Sequence, residues 1–131
     1  MAGDFNLTTI SVHIRVMQPY TILQGIAKSV FQFPVYLNLA SMTTDPLERF
    51  KLAVVATLSG FHKSSSFIKP LNPILGETYE LDYEDGSKVY MEQTSHHPPV
   101  SHFYLKGPKN LFKYYGYSNY ATGGGMNSMK V

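Results

Sequence analysis

Two proline-braced corners constrain this chain more than any other feature. The first reads Lys69-Pro70-Leu71-Asn72-Pro73-Ile74-Leu75-Gly76-Glu77, and the second Glu92-Gln93-Thr94-Ser95-His96-His97-Pro98-Pro99. Proline fixes its own φ and pushes the residue before it towards extended geometry, so neither corner can join a helix. Between them Thr78, Glu80 and Asp82 alternate with Tyr79, Leu81 and Tyr83. Asp85-Gly86 then signals a tight hairpin turn, and residues 88–93 run back. A hairpin over residues 78–93 allows both corners to lie at one end of a sheet. That end would present a lysine, an asparagine and two histidines, which is the chemistry of an anion-binding mouth.

His96 and His97 would point to opposite faces of a regular strand. Both reach one ligand only if the backbone bends or bulges there, which Pro98-Pro99 favours. For an isolated His-His pair the commoner arrangement is structural, with one ring buried and hydrogen-bonded and the other on the surface. Alone, the Lys69–Asn72 pair would likewise be an ordinary proline-rich loop. The argument for a site comes from the two corners flanking one hairpin.

Composition narrows the function classes. Only 15 % of the 131 residues are charged and 44 % are hydrophobic, against roughly 25 % charged in an average domain. Ten tyrosines and eight phenylalanines with no tryptophan place many rings at pocket walls or in an aromatic β-rich core. Eleven basic residues against nine acidic ones, a net charge of +2, give no basic run of the kind nucleic acid requires. The absence of cysteine excludes disulfides and thiolate metal sites and suits a reducing compartment. No apolar run approaches spanning length, and the N-terminal residues lack a basic region followed by a long apolar core. The expectation is a soluble, intracellular, cytoplasmic protein.

Along the chain, Ile10, Val12, Ile14 and Val16 alternate with Ser11, His13 and Arg15, the pattern of an extended segment with His13 facing solvent. Pro19 and Thr21 open a helix carrying Ile22, Leu23, Ile26, Ala27 and Val30 at helical spacing, which Pro34 ends or kinks. An ambiguous apolar stretch runs on to Met42. Asp45-Pro46-Leu47-Glu48 then starts a second helix with an N-cap acceptor and proline in its first turn. Leu47, Phe50, Val54, Leu58 and Phe61 form one stripe of it, read as core packing, and Gly60 can end it. A second hairpin joins residues 100–105 to 111–117 across 106–110, and Gly123-Gly124-Gly125 breaks the chain before residues 126–131. Stopping there leaves Tyr114, Tyr115, Tyr117 and Tyr120 along an exposed edge, which implies further strands in a parent protein. The fold class is α+β: one domain over residues 1–131, with helices within 19–61 and antiparallel strands within 69–131.

Both corner motifs, together with Asp45-Pro46-Leu47-Glu48-Arg49, resemble signatures of the oxysterol-binding protein family of lipid carriers. Thr94 stands where that family often has valine. The resemblance covers residues from about Gln18 to Val131. It implies a large, nearly closed β-barrel around an apolar tunnel, of which this chain is the N-terminal, incomplete part. It further implies residues 1–17 as a lid, with Phe5, Leu7 and Ile10 as candidate lid residues, and a sterol or other lipid in the tunnel. That lipid would be exchanged for phosphatidylinositol 4-phosphate, with Lys69, Asn72, His96 and His97 as headgroup ligands. The protein would sit peripherally at organelle membranes and contact sites, with no catalytic residue, metal or cofactor. Three other readings compete. One is a metal-dependent hydrolase using His96, His97, His102 and Glu92, disfavoured because adjacent histidines lack a third, well-spaced ligand. Serine chemistry at Ser95 lacks a strained nucleophile turn and an orienting acid. The last is a protein-interaction module binding through its aromatic edge.

Overall fold

The computed structural model describes residues 5–6, 13–63, 68–119, 123–125 and 128–130. Its chain runs through strand β1 (Phe5–Asn6), strand β2 (Met17–Thr21) and helices α1 (Ile22–Ser29), α2 (Phe33–Met42) and α3 (Pro46–Ser59). Strands β3 (Lys69–Leu71), β4 (Thr78–Asp82), β5 (Lys88–Ser95), β6 (Val100–Lys106), β7 (Lys113–Asn119), β8 (Gly123–Gly125) and β9 (Ser128–Lys130) follow. The expected α+β class holds: helices first, then an antiparallel sheet in the order β4-β5-β6-β7. Among the described residues the sheet does not close into a barrel, and no helix is long and apolar enough to cross a membrane.

Alternation builds the core. Val89, Met91 and Gln93 point inward from β5 while Lys88, Tyr90, Glu92 and Thr94 face out. Val89, Met91 and Leu105 pack against Leu23 and Ala27 of α1 and Phe33 of α2. Leu23 and Ala27 are one helical turn apart, so a single face of α1 meets the sheet. Two polar contacts fix the layers laterally. The Tyr83 hydroxyl donates to the Ala27 carbonyl at 3.1 Å, and Asn38 Nδ2 donates to Asp85 Oδ2 at 2.7 Å. The Asp85 carboxylate also accepts from the Ser87 amide and hydroxyl, which braces the hairpin turn. Gly86 there adopts φ 84°, as the Asp85-Gly86 signal predicts.

Several sequence expectations are corrected. Pro34 starts a helix rather than ending one: it is buried in the first turn of α2, where its missing N–H has no intrahelical partner to lose. The ambiguous stretch to Met42 is therefore a third helix. Ile14 and Val16 lie in a short 3-10 turn, both exposed, instead of an extended strand. His13 is solvent-facing as expected, its Nδ1 accepting from the Arg15 amide at 3.2 Å.

The region from residue 69 is not wholly antiparallel, because β3 pairs in parallel with β2, Met17 opposite Lys69 and Thr21 opposite Leu71. Helix α3 starts as read, Asp45 Oδ1 accepting from the Leu47 amide at 3.0 Å. Its stripe is not core, however. Leu47, Phe50, Leu58 and Phe61 are more than half exposed, and Ala56 makes the buried contact. Ala56, with half-buried Leu52, Ala53 and Ser59, marks the inner face of α3, and the larger residues of the expected stripe lie off it. Tyr114 likewise leaves the supposed edge and turns inward, its ring meeting Phe33 edge-on at 5.2 Å. Tyr115 and Tyr117 stay exposed, and Tyr120 lies outside the described residues.

Candidate functional site

Gln93 joins the two corners. Its backbone pairs with the first corner, the Gly76 amide donating to the Gln93 carbonyl at 2.8 Å and the Gln93 amide to the Glu77 carbonyl at 2.9 Å. Its side chain, 1 % exposed, braces the second: Nε2 donates to the Ser95 carbonyl at 2.7 Å, and Oε1 accepts from the buried Ser101 hydroxyl at 2.5 Å. The buried Gln93 amide and the buried Ser101 hydroxyl satisfy each other, and the same residue reaches both corners. The corners therefore lie at one end of the sheet, as the hairpin argument requires.

The first corner is itself rigid. Pro73 is buried, Glu77 Oε2 accepts from the Ile74 amide at 3.1 Å, and the Glu77 amide donates to the Ile74 carbonyl at 3.0 Å. Gly76 has φ 78°, a conformation that glycine adopts without steric cost. Lys69 is half-buried in β3 and Asn72 is exposed in the loop after it. Among the described residues no hydrogen bond or ion pair engages the Lys69 ammonium or the Asn72 amide.

In the second corner the strand bulges at Thr94. Gln93 pairs with Ser101 and Ser95 with Val100, leaving Thr94 between them. Thr94 Oγ1 lies 2.7 Å from His102 Nδ1 and donates to the Val100 carbonyl at 3.4 Å. The chain then turns over residues 96–99, whose His97–Pro98 peptide is cis. His96 and His97 are both exposed, with ring centroids 4.5 Å apart at 63°. The bend needed to bring both rings to one place is present, and the structural alternative of one buried ring is not. The two rings are neighbours; the first corner is tied to the second through Gly76 and Glu77, while Lys69 pairs with Met17 in the parallel β2–β3 ladder.

The donors that the two corners carry are an ammonium, an amide and two imidazoles, with the carboxylates of Glu77 and Glu92 on the same stretches of chain. Such a set suits an oxyanion, and charge-assisted bonds of this kind are the strong ones. The competing chemistries find no comparable arrangement. Among the described residues no three histidine, aspartate or glutamate side chains are grouped to hold a metal ion. His102 is taken up by Thr94 and by Tyr117, whose ring centroid is 5.5 Å away. Nor, among those residues, does a histidine hydrogen-bond the Ser95 hydroxyl. Of the candidate lid residues, Phe5 lies in β1 opposite Gly124, while Leu7 and Ile10 fall outside the described residues. The role of Gln93 went unassigned in the sequence, although an amide at an inward strand position beside Val89 and Met91 was a readable signal.

A family model described as oxysterol-binding protein matches residues 2–131. The chain belongs to the oxysterol-binding protein family. Oxysterol-binding protein 9 of Dictyostelium discoideum is 37 % identical over 117 residues, covering 89 % of this chain and 27 % of that protein. Oxysterol-binding protein-related protein 2 of Mus musculus is 40 % identical over 116 residues, covering 84 % of this chain and 23 % of that protein. The chain thus spans about a quarter of the length of these relatives.

Among solved structures, the Osh1 ORD domain in complex with cholesterol superimposes with a TM-score of 0.81 at 27 % identity, covering 91 % of this chain and 28 % of that one. The Osh3 ORD of Saccharomyces cerevisiae in complex with PI(4)P gives a TM-score of 0.66 at 28 % identity, covering 78 % and 28 %. The mixed helices and antiparallel sheet match part of that oxysterol-binding fold.

Proposed function

We propose that this chain grips the phosphorylated headgroup of a membrane lipid, as part of a lipid-binding and lipid-exchange module rather than an enzyme. The observation that carries this reading is the Gln93 bracket, which anchors both donor-bearing corners at one end of the sheet. Lys69, Asn72, His96 and His97 would donate to phosphate oxygens, phosphatidylinositol 4-phosphate being the ligand. A sterol or another lipid would occupy apolar surroundings and exchange with it between membranes. Relatives solved with cholesterol, ergosterol and PI(4)P support both ligand classes. Phe5, Leu7 and Ile10 would belong to the segment covering the lipid, and the protein would work peripherally at organelle membranes from the cytoplasm.

The test is His96→Ala combined with His97→Ala. Both rings are exposed and outside the core, so the melting temperature should hold while phosphoinositide binding is abolished and sterol binding is largely spared. Lys69→Ala should weaken phosphoinositide binding roughly tenfold or more, the scale of one hydrogen bond to a charged group. Liposome assays for both lipids, run beside a melting curve, decide the matter. Equal loss of both lipids with a collapsed melting temperature would refute the headgroup role.

A further inference from the structure

Between Asn72 and the Gln93 bracket, the first corner carries two large aliphatic side chains into solvent. Ile74 is 70 % exposed and Leu75 is 65 % exposed. Nothing about the loop is slack: Pro73 is buried on one side, the Ile74 amide is held by the Glu77 carboxylate, and Gly76 is bonded to Gln93. A tip so braced presents its apolar side chains in one orientation, at little further entropic cost on binding. Chain length alone keeps Ile74 within about 25 Å of His96, since Ile74 lies two positions before Gly76, Gly76 is bonded to Gln93, and His96 lies three positions after Gln93. The exposed aliphatic groups therefore lie on the corner that Gln93 ties to the strand end bearing His96 and His97.

We propose that Ile74 and Leu75 form a wedge that enters the headgroup layer of a lipid bilayer when the adjoining donors meet a lipid phosphate. The inference rests on the headgroup reading and names the element that makes the membrane contact. A lipid phosphate lies at the water–hydrocarbon boundary, so a mouth that takes it from a bilayer must come down onto that boundary. Exposed aliphatic tips beside the mouth then meet an apolar medium instead of water. The neighbouring cationic and donor groups, Lys69, His96 and His97, complement an anionic surface. By contrast the far end of the same sheet, where β6 and β7 meet, carries Lys106, Lys109 and Lys113 with a single exposed aliphatic residue, Leu111.

Because the chain contains no tryptophan, Leu75→Trp is a unique fluorophore at the tip. With phosphatidylcholine vesicles doped with phosphatidylinositol 4-phosphate, its emission should shift to the blue and be quenched by lipids brominated near the glycerol end of the acyl chain. Tyr115→Trp, on the outer sheet face, should show neither change. Ile74→Asp with Leu75→Asp should lower vesicle affinity by about tenfold or more, the scale of withdrawing two aliphatic side chains from an apolar phase. Binding of soluble inositol 1,4-bisphosphate and the far-UV circular dichroism should be unaltered. An unquenched Leu75→Trp on vesicles that still bind the protein would overturn the wedge, as would a partner protein or second copy shielding the tip in their place. Quenching without any binding of inositol 1,4-bisphosphate would retain the wedge and overturn the headgroup site.

Discussion

Gln93 shows how one side chain can govern a site it does not touch. Its amide is buried and bonded through both its nitrogen and its oxygen, so Gln93→Ala leaves the buried Ser101 hydroxyl and the half-buried Ser95 carbonyl without these partners. Leaving buried polar groups unpaired costs about 1–3 kcal/mol, and the lost volume adds to it. Thermal or denaturant unfolding of Gln93→Ala should therefore register a loss of that order. Headgroup binding should also fall at temperatures where the variant remains folded, because the chain leading to His96 has lost its brace. Full headgroup affinity in folded Gln93→Ala would deny it a positioning role. Thr94 plays a lesser part: its hydroxyl joins the bulge to His102 on an exposed face, where such a bond contributes little.

The hairpin of β4 and β5 is tied to the helices through Tyr83 and Asp85. Burial is the main cause that pushes the Tyr83 phenol from 10.0 up to about 12, with Tyr79 and Asp85 adding to it. The unfolded chain gives up this proton near pH 10 and the folded one near pH 12. Between those values the unfolded state holds fewer protons, so stability declines as pH rises through the window and is complete in this respect below it. Tyr83→Phe should lose about 1 kcal/mol near neutrality, the Ala27 hydrogen bond. Its alkaline limb should be correspondingly flatter. Superimposable alkaline limbs for the two proteins, followed by circular dichroism, would contradict this account.

Among the described residues, the helical pair α2 and α3 exposes a group of large apolar side chains. Val35, Leu39 and Met42 of α2 and Leu47, Phe50 and Leu58 of α3 are all substantially exposed, Phe50 at 67 %. Exposed apolar side chains in such number favour association in water. The isolated 131-residue chain should bind a hydrophobic dye and self-associate. Phe50→Ser with Leu58→Ser should reduce both without lowering the melting temperature, since neither side chain lies in the core cluster. Sedimentation velocity of the two proteins is the measurement, and a monomeric, dye-blind parent chain would dispose of the prediction.

What the sequence determined by itself was local. Asp45-Pro46 starts a helix because a cap acceptor and a pre-set φ act within one turn, and Asp85-Gly86 turns a hairpin for the same kind of reason. The alternation of residues 78–83 marks a strand, because side chains two apart share a face. Both corners were legible because proline and glycine act on their own backbone. What only the tertiary structure decided depended on partners distant in the chain. Pro34 became a helix start because Phe33 beside it could bury against Tyr114 and the sheet. The α3 stripe, indistinguishable by period from a core stripe, is exposed because α3 buries the side that carries Leu52, Ala53 and Ala56 instead. Lys69 joined a parallel strand because Met17, more than fifty residues earlier, came alongside it. The site shared this division: its donors were readable one by one, but their convergence needed a buried glutamine whose four bonds reach residues in three different segments.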